Sequence, residues 1–303
     1  MPSRSTEGVV PVNIVVRTRD RPLLLGRALD DVLGQSFADW RVTIVNDGGD
    51  RGAVERLVAE RAAAFGGRVS ILHNEGSSGM EAASNQGVRA LESLFVAIHD
   101  DDDTWHPDFL ATTVAWLDDN LDAAAVAVRT EIVWEQIQGQ RVIERGREIF
   151  APERRLATLF DLLRWNHCVP ISTLYRRAAI VETGWFDESL LVVGDWEFNV
   201  RLAARAYIGF LPDVPLAFWH QRRNATGSLG NSVTAGRAAH ADFDRLVRDR
   251  ELRAYVRDNG LGLPMFVAKL VDDRADELRR QLTDTPVRRV ARAVRDSFRR
   301  VLG

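Results

Sequence analysis

Short apolar runs alternate with helical spacings through the first 120 residues. Val12–Val16 is a β-rich run closed by the polar stretch Arg17-Thr18-Arg19-Asp20-Arg21-Pro22. Leu25, Ala28, Leu29, Val32 and Leu33 then recur at helical spacing. Val42–Val45 predicts a second strand, ending in the turn Asn46-Asp47-Gly48-Gly49-Asp50. A helix over Ala53–Phe65 and a third strand over Val69–Leu72 follow. Ser77 and Ser78 predict the cap of a helix running to about Glu92, with Glu81 completing a capping box with Ser78. Leu94–Ile98 predicts the fourth strand and leads into Asp100, Asp101, Asp102 and Asp103; Pro107 opens another helix to about Leu117.

This alternation implies an α/β fold with a mostly parallel, Rossmann-like central sheet flanked by helices. Ligands bind such sheets at the C-terminal ends of the strands. Thr18–Arg21, Asn46–Asp47 and Asp100–Asp103 all fall there, so one common crevice is predicted. Beyond residue 120 the pattern changes. Ala123–Val133 and Arg141–Phe150 read as longer strands, Pro152–Leu163 as a helix, and Ile171–Tyr175 as a short strand leading into a helix over Arg177–Thr183. Asp195–Ala206 is helical, and Ile208–Leu211 and Leu216–Trp219 are strand-like. After the polar loop Gln221–Ser232 the chain is helical and charged to its end, which divides it into 1–225 and a helical extension over 226–303.

Composition adds exclusions. A hydrophobic content of 46% supports a sizeable core, and a net charge of −3 gives no field for nucleic acid. The one cysteine, Cys168, excludes an intrachain disulfide framework and fits a reducing compartment. No apolar run approaches the ~20 residues that span a bilayer. The expected location is cytoplasmic.

Four adjacent carboxylates repel one another and are not buried without partners. Delivered to the end of an apolar strand, they suit a divalent cation, since hard oxygen ligands match Mg²⁺ or Mn²⁺. An acidic solvated turn is the plainer reading of such a run taken alone.

The order of these elements resembles family 2 glycosyltransferases, which have the GT-A fold and invert the anomeric centre. VNIVVRTRDRP (12–22) resembles that family's first strand and loop, and VTIVNDGG (42–49) its second strand. IHDDDDTWHPDFL (98–110) is similar to its Asp-x-Asp metal signature. ISTLYRRAAIVETGWFDESL (171–190) resembles the approach to the acceptor site, and VVGDWEFNVRLA (192–203) the helix carrying the catalytic base. These five motifs run in order from about residue 12 to 220. The resemblance implies a nucleotide-sugar donor, UDP-linked first, with Mn²⁺ or Mg²⁺ neutralising the diphosphate leaving group. It implies a hydroxyl acceptor on a glycan or lipid-linked glycan in cell-surface polysaccharide or glycolipid assembly.

In the matching register Asp102 is the first metal ligand, Asp100 contacts ribose or metal, and His220 approaches the metal. Thr18, Arg21, Asn46, Asp47, Gly79 and Asn85 fall in donor-binding segments. Asp195 is the general base, with Glu197 as fallback, and Trp185 and His167 are acceptor-site candidates. Three positions depart from the family pattern. Asn46 replaces the first acid of an acidic pair. Ser84 replaces the arginine of Arg-Asn, whose phosphate or ribose contact is then missing or supplied elsewhere. Gly194 replaces the acid before the base. These departures keep open a catalytically impaired binding module of the same fold. A nucleotidyltransferase is disfavoured, because no glycine-rich phosphate loop follows the first strand.

Residues 286–303 carry six arginines against one acid, with Val287, Val290, Ala291, Val294, Phe298, Val301 and Leu302 on one stripe. Such a basic amphipathic helix suits a peripheral contact with an anionic membrane face, or packing on the protein or a partner helix.

Overall fold

The structure is a computed structural model and describes residues 9–222 and 237–283. The basic stripe at 286–303 and the expected division at 225/226 lie outside the described residues. The strands in chain order are β1 (Val10–Thr18), β2 (Trp40–Asp47), β3 (Val69–Asn74), β4 (Ser93–Asp100), β5 (Thr104–Trp105), β6 (Ala123–Val128), β7 (Thr130–Gln138), β8 (Arg141–Ile149), β9 (Thr173–Arg176), β10 (Tyr207–Leu211) and β11 (Ala217–Gln221). The helices are α1 (Pro22–Leu33), α2 (Arg51–Ala59), α3 (Ala62–Phe65), α4 (Met80–Ala90), α5 (Phe109–Asp119), α6 (Leu159–Leu162), α7 (Arg177–Thr183) and α8 (Gly194–Ala203). Two further helices, Arg237–Asn259 and Gly262–Thr283, follow.

The main sheet has the order β10-β6-β9-β4-β1-β2-β3. β3, β2, β1 and β4 are parallel neighbours, and β10 is parallel to β6. β9 runs against both β4 and β6. The expected mostly parallel sheet is therefore present, with one reversed strand. Helices cover both faces, so the inner strands read as continuous apolar runs. On one face Val12, Ile14 and Val16 pack with Leu25, Leu29 and Val32 of α1. On the other, Val15, Val45, Val96 and Ile98 pack with Ala83, Val88 and Phe198. Full burial of a side chain such as Leu29 contributes about 2 kcal/mol.

Register sets the site. Arg17 lies beside Asp100, and Thr18 beside Asn46. Helix α4 is drawn close to β1 because Gly87 has no side chain: an added Cβ would sit 2.3 Å from Val15 Cγ1. That approach brings the first turn of α4 to the end of the sheet.

A second sheet has the order β5-β11-β7-β8. The single strand expected over Ala123–Val133 is split between the two sheets. The break falls at buried Arg129, whose guanidinium donates to the carbonyls of Pro212, Ala151 and Arg154 at 2.9, 2.9 and 2.7 Å. The helix expected over Pro152–Leu163 is confined to α6, which begins only after Thr158 caps it through the Asp161 N–H at 3.2 Å.

The chain divides into two compact units, Met1–Asp244 and Arg245–Gly303. The first contains both sheets. In the second, exposed pairs such as Lys269–Asp273, at 2.6 Å, line the helix Gly262–Thr283. Among the described residues no helix is long and apolar enough to cross a membrane.

Candidate active site

Two cavities open at the C-terminal ends of the parallel strands. The first, about 490 Å³, is lined by Thr18, Arg21, Asp47, Ser77, Gly79, Asp101 and their neighbours. Asp47, at the tip of β2, organises one wall. It accepts hydrogen bonds from Ser78 N (2.8 Å), Gly79 N (3.1 Å), Ser77 Oγ (2.7 Å), Ser78 Oγ (2.8 Å) and Asn74 Nδ2 (2.8 Å). Burial alone would raise the Asp47 carboxyl, but these donors outweigh it and bring its pKa down to about 2. The serines expected to cap a helix from Ser77 or Ser78 are thus spent on Asp47, and α4 starts at Met80 instead. Gly79, at φ +97°, makes the turn between the two, in backbone space that glycine enters without a Cβ penalty.

The Asp47 shift predicts a pH dependence. The pKa is lower in the folded state than the ordinary 3.8, so the stabilisation is present above about pH 4 and is lost as pH falls toward 2. Its size is about 2 kcal/mol. Denaturant titrations of wild type and Asp47→Asn should differ by that amount at pH 6 and converge near pH 2. A constant difference across that range would show that the carboxylate's charge is not the source.

The acid run follows β4, and each carboxylate has its own partners. Arg17 donates twice to Asp100 Oδ1, from Nε at 3.0 Å and from Nη2. Thr18 Oγ1 donates to Asp101 Oδ2 at 2.8 Å, and Arg21 Nη1 reaches Asp101 Oδ1 at 3.1 Å. Asp102 Oδ2 receives Arg21 Nη1 at 3.3 Å and Arg222 Nη2. Asp103 Oδ1 receives the backbone N–H of His220 at 2.8 Å. Burial raises Asp101 to about 6 and Asp103 well above the carboxylate range, with Asp102 adding repulsion to both.

The second sheet supports this run. Glu135 of β7 receives Arg27 Nη1 at 2.7 Å, His220 Nδ1 at 2.8 Å, and Arg222 Nη1. Burial opposes ionisation of Glu135, but these cationic and ring donors hold its pKa at about 2. Among the described residues no three or more His, Cys, Asp or Glu side chains are gathered as an ion cage. By donor type the run fits Mg²⁺ or Mn²⁺, since it offers carboxylate oxygens at one strand end. His220 Nδ1 faces Glu135, and its Nε2 lies 2.8 Å from Thr104 Oγ1.

The second cavity, about 480 Å³, shares Arg17, Met80 and Asp100 with the first. Its other walls include Glu81, Asp195, Asn166 and the aromatic rings of Phe150, Trp165, Trp196 and Trp219. Phe150 packs edge-on against both Trp165 and Trp219, at 5.5 and 5.2 Å between centroids. Asp195 lies inside the first turn of α8 and is not the N-cap, which is Val193. Val193 has φ +62°, a left-handed conformation that costs a β-branched residue ~1–3 kcal/mol. Asn166 Nδ2 donates to Asp195 Oδ2 at 2.5 Å. Burial raises the Asp195 pKa and the charge of Asp100 adds to it, against the Trp196 N–H, Arg17 and Asn166.

The model of glycosyl transferase family 2 matches residues 13–184, more than half of the chain. The chain belongs to glycosyl transferase family 2. A relative named uncharacterized glycosyltransferase YwdF, from Bacillus subtilis (strain 168), is 28% identical over 222 residues, which is 72% of this chain and 78% of YwdF. Among solved structures, S. aureus TarS 1-349 in complex with UDP-GlcNAc is similar with a TM-score of 0.59 at 16% identity, covering 84% of this chain and 75% of that one. S. aureus TarS 1-349 in complex with UDP aligns at 0.57 and 18% identity, covering 69% of this chain and 60% of that one. These similarities show the GT-A arrangement of the fold. By its family the chain is a transferase enzyme.

Set in the family 2 frame, the predicted site residues separate. Thr18, Arg21, Asp47, Gly79 and Asp100 line the first cavity, and Asp195 lines the second. Others face elsewhere. Asn46 closes its own turn, bonding Gly49 O at 2.9 Å and the Gly49 N–H at 3.1 Å. Asn85 holds Phe186 O at 2.9 Å and Glu188 Oε1 at 2.8 Å. Glu197 is buried in a two-point pair with Arg201, both bonds 2.8 Å, so it is not placed as a second base. Trp185 lies under the Arg89 guanidinium, 4.5 Å from its ring centroid, outside both cavity walls. His167 is buried edge-on to Trp165 and lines neither cavity.

Two residues of the junction were not foreseen. Arg17 Nη1 donates to Ser84 Oγ at 3.1 Å and to Met80 O at 3.3 Å, so a guanidinium from β1 rests on the position where family 2 usually has arginine. Glu81 packs against Gly194, the position where the family usually has an acid. In both cases a neighbouring element places a side chain of the kind the motif lacks beside that position. A charged residue ending an apolar strand was the available signal for Arg17.

Proposed function

We propose that this family 2 enzyme transfers a sugar from a nucleotide-sugar donor, UDP-linked, to a hydroxyl acceptor with inversion. The observation that carries the reading is the meeting of the two cavities at Arg17, Met80 and Asp100. The nucleotide fits the first cavity, among Thr18, Arg21 and Asp47. The reacting carbon then lies at the junction, and the acceptor enters the second cavity, where Asp195 takes its hydroxyl proton. A raised Asp195 pKa suits a base that must accept a proton in the transition state. Arg17, at the junction, meets the leaving diphosphate. Trp165 and Trp219 offer flat faces on which a glycan ring stacks.

Asp102, with Asp100, would hold a divalent cation. When bound, such a cation neutralises charge on the departing diphosphate. In this structure Asp102 lines neither cavity, and its Oδ2 is held by Arg21 and Arg222. The UDP preference is supported by the shared fold with TarS, whose structures were solved in complex with UDP and UDP-GlcNAc.

A thermal-shift series with UDP, GDP and dTDP plus Mn²⁺ tests the donor. A nucleotide at ~100 times its Kd adds about 2.7 kcal/mol of stability, so UDP should raise the melting temperature by several degrees. No shift with any nucleotide sinks the donor reading, and a shift with GDP or dTDP alone reassigns the base. Donor hydrolysis across a panel of nucleotide sugars then names the sugar, and loss of turnover in chelator checks the cation.

A further inference from the structure

Glu81 stands in the first turn of α4 and is 4% exposed. Its carboxyl fills the room beside Gly194, where an added Cβ would lie 2.5 Å from Glu81 Cδ and Oε1. On its other side, Oε2 lies 3.8 Å from Arg17 Nη1. That oxygen is buried and has no hydrogen-bond partner among the described residues. Glu81 therefore stands between a cation and the first turn of the helix that carries Asp195. Arg17 is held on the far side by two bonds to Asp100 and one each to Met80 O and Ser84 Oγ. The charged groups around Glu81 are Arg17 from β1, Asp100 from β4, and Asp195 and Glu197 from α8. Burial pushes the Glu81 pKa up to about 8; Arg17 pulls against it and the three carboxylates add to it.

We propose that Glu81 is a positioning residue of the transfer reaction, a buried side chain that stands between Arg17 and the first turn of α8 and keeps the Arg17 guanidinium on Asp100 and off Asp195. A guanidinium on a flexible stem pairs with whichever carboxylate it reaches. Paired with Arg17, Asp195 would lose basicity and the lone pairs that accept the acceptor proton. An ionised Glu81 would itself compete for Arg17, whereas a protonated one fills the space without doing so. Gly194 belongs to the device, since only a residue without a side chain leaves room for the Glu81 carboxyl.

The proposal rests on the reading of Asp195 as the base. Its test is donor turnover by Glu81→Ala and Glu81→Gln over pH 5 to 9. Glutamine conserves the volume and cannot ionise, so it should keep kcat within about threefold of wild type. Alanine should lower kcat tenfold or more while donor KM changes by less than about threefold. The acid limb of its kcat profile should also move about one unit lower, because Arg17 then stabilises ionised Asp195. Wild-type kcat with an unmoved acid limb in Glu81→Ala overturns the proposal, and so does a Glu81→Gln enzyme as slow as the alanine variant. Should Glu81→Ala not fold, Gly194→Ala asks the same question from the opposite side. Its methyl displaces the carboxyl, and wild-type kinetics there also overturn the role. Turnover retained in Asp195→Asn removes the base reading itself; an inactive Asp195→Asn beside a fully active Glu81→Ala removes only the role of Glu81.

Discussion

Asp195→Asn is expected to lower kcat by about three orders of magnitude, within the 10²–10⁴ range that a positioned general base contributes. The amide matches the carboxylate in shape, so the second cavity keeps its form. It has no charge with which to take the acceptor proton, and Asn166 Nδ2 now faces an amide at 2.5 Å. Nucleotide affinity should stay within about twofold, because Asp195 lines the second cavity and not the first. The measurement is single-turnover transfer beside nucleotide titration. Turnover within tenfold of wild type would move the base elsewhere, and a parallel loss of nucleotide binding would show damage to the fold.

Arg222→Leu is expected to destabilise the sheet-bearing unit by about 3 kcal/mol, the scale of removing one partner from a buried ion pair. Arg222 is 1% exposed and bridges Glu135 to Asp102. Leucine fills part of the volume but leaves two buried carboxylates short of one cation. Glu135 retains Arg27 and His220, and Asp102 retains Arg21, which keeps the loss at the lower end of the range. The melting temperature should fall by about 6–12 °C. An unchanged melting temperature would mean that desolvation of Arg222 had cancelled its pairing in the wild type.

The strands of the main sheet and the acid run were legible because they obey local rules: continuous apolar runs, turn residues, and polar clusters at strand ends. The capping box at Ser78 and Glu81 was a sound local pattern that lost to tertiary structure. Asp47, across the crevice, offered both serines a charged acceptor, and Glu81 was left to turn toward Gly194. Asn85 is expected in the site by its place in a family segment, and Trp185 by its nearness in sequence to the site motifs. Proximity does not choose a face: Asn85 points at Phe186 and Glu188, and Trp185 lies against Arg89. The second sheet was hidden for a different reason. β11 pairs with β5 and β7 across more than 80 residues, and no local periodicity records which distant strands meet.

The acid run is completed only late during synthesis. Asp103 receives its backbone donor from His220, and Asp102 a guanidinium from Arg222, both over a hundred positions downstream. A nascent chain that has reached Asp103 already holds the four neighbouring carboxylates, with Arg17, Thr18 and Arg21 as donors to them. A chain stopped before residue 220 would carry Asp102 and Asp103 without these two donors.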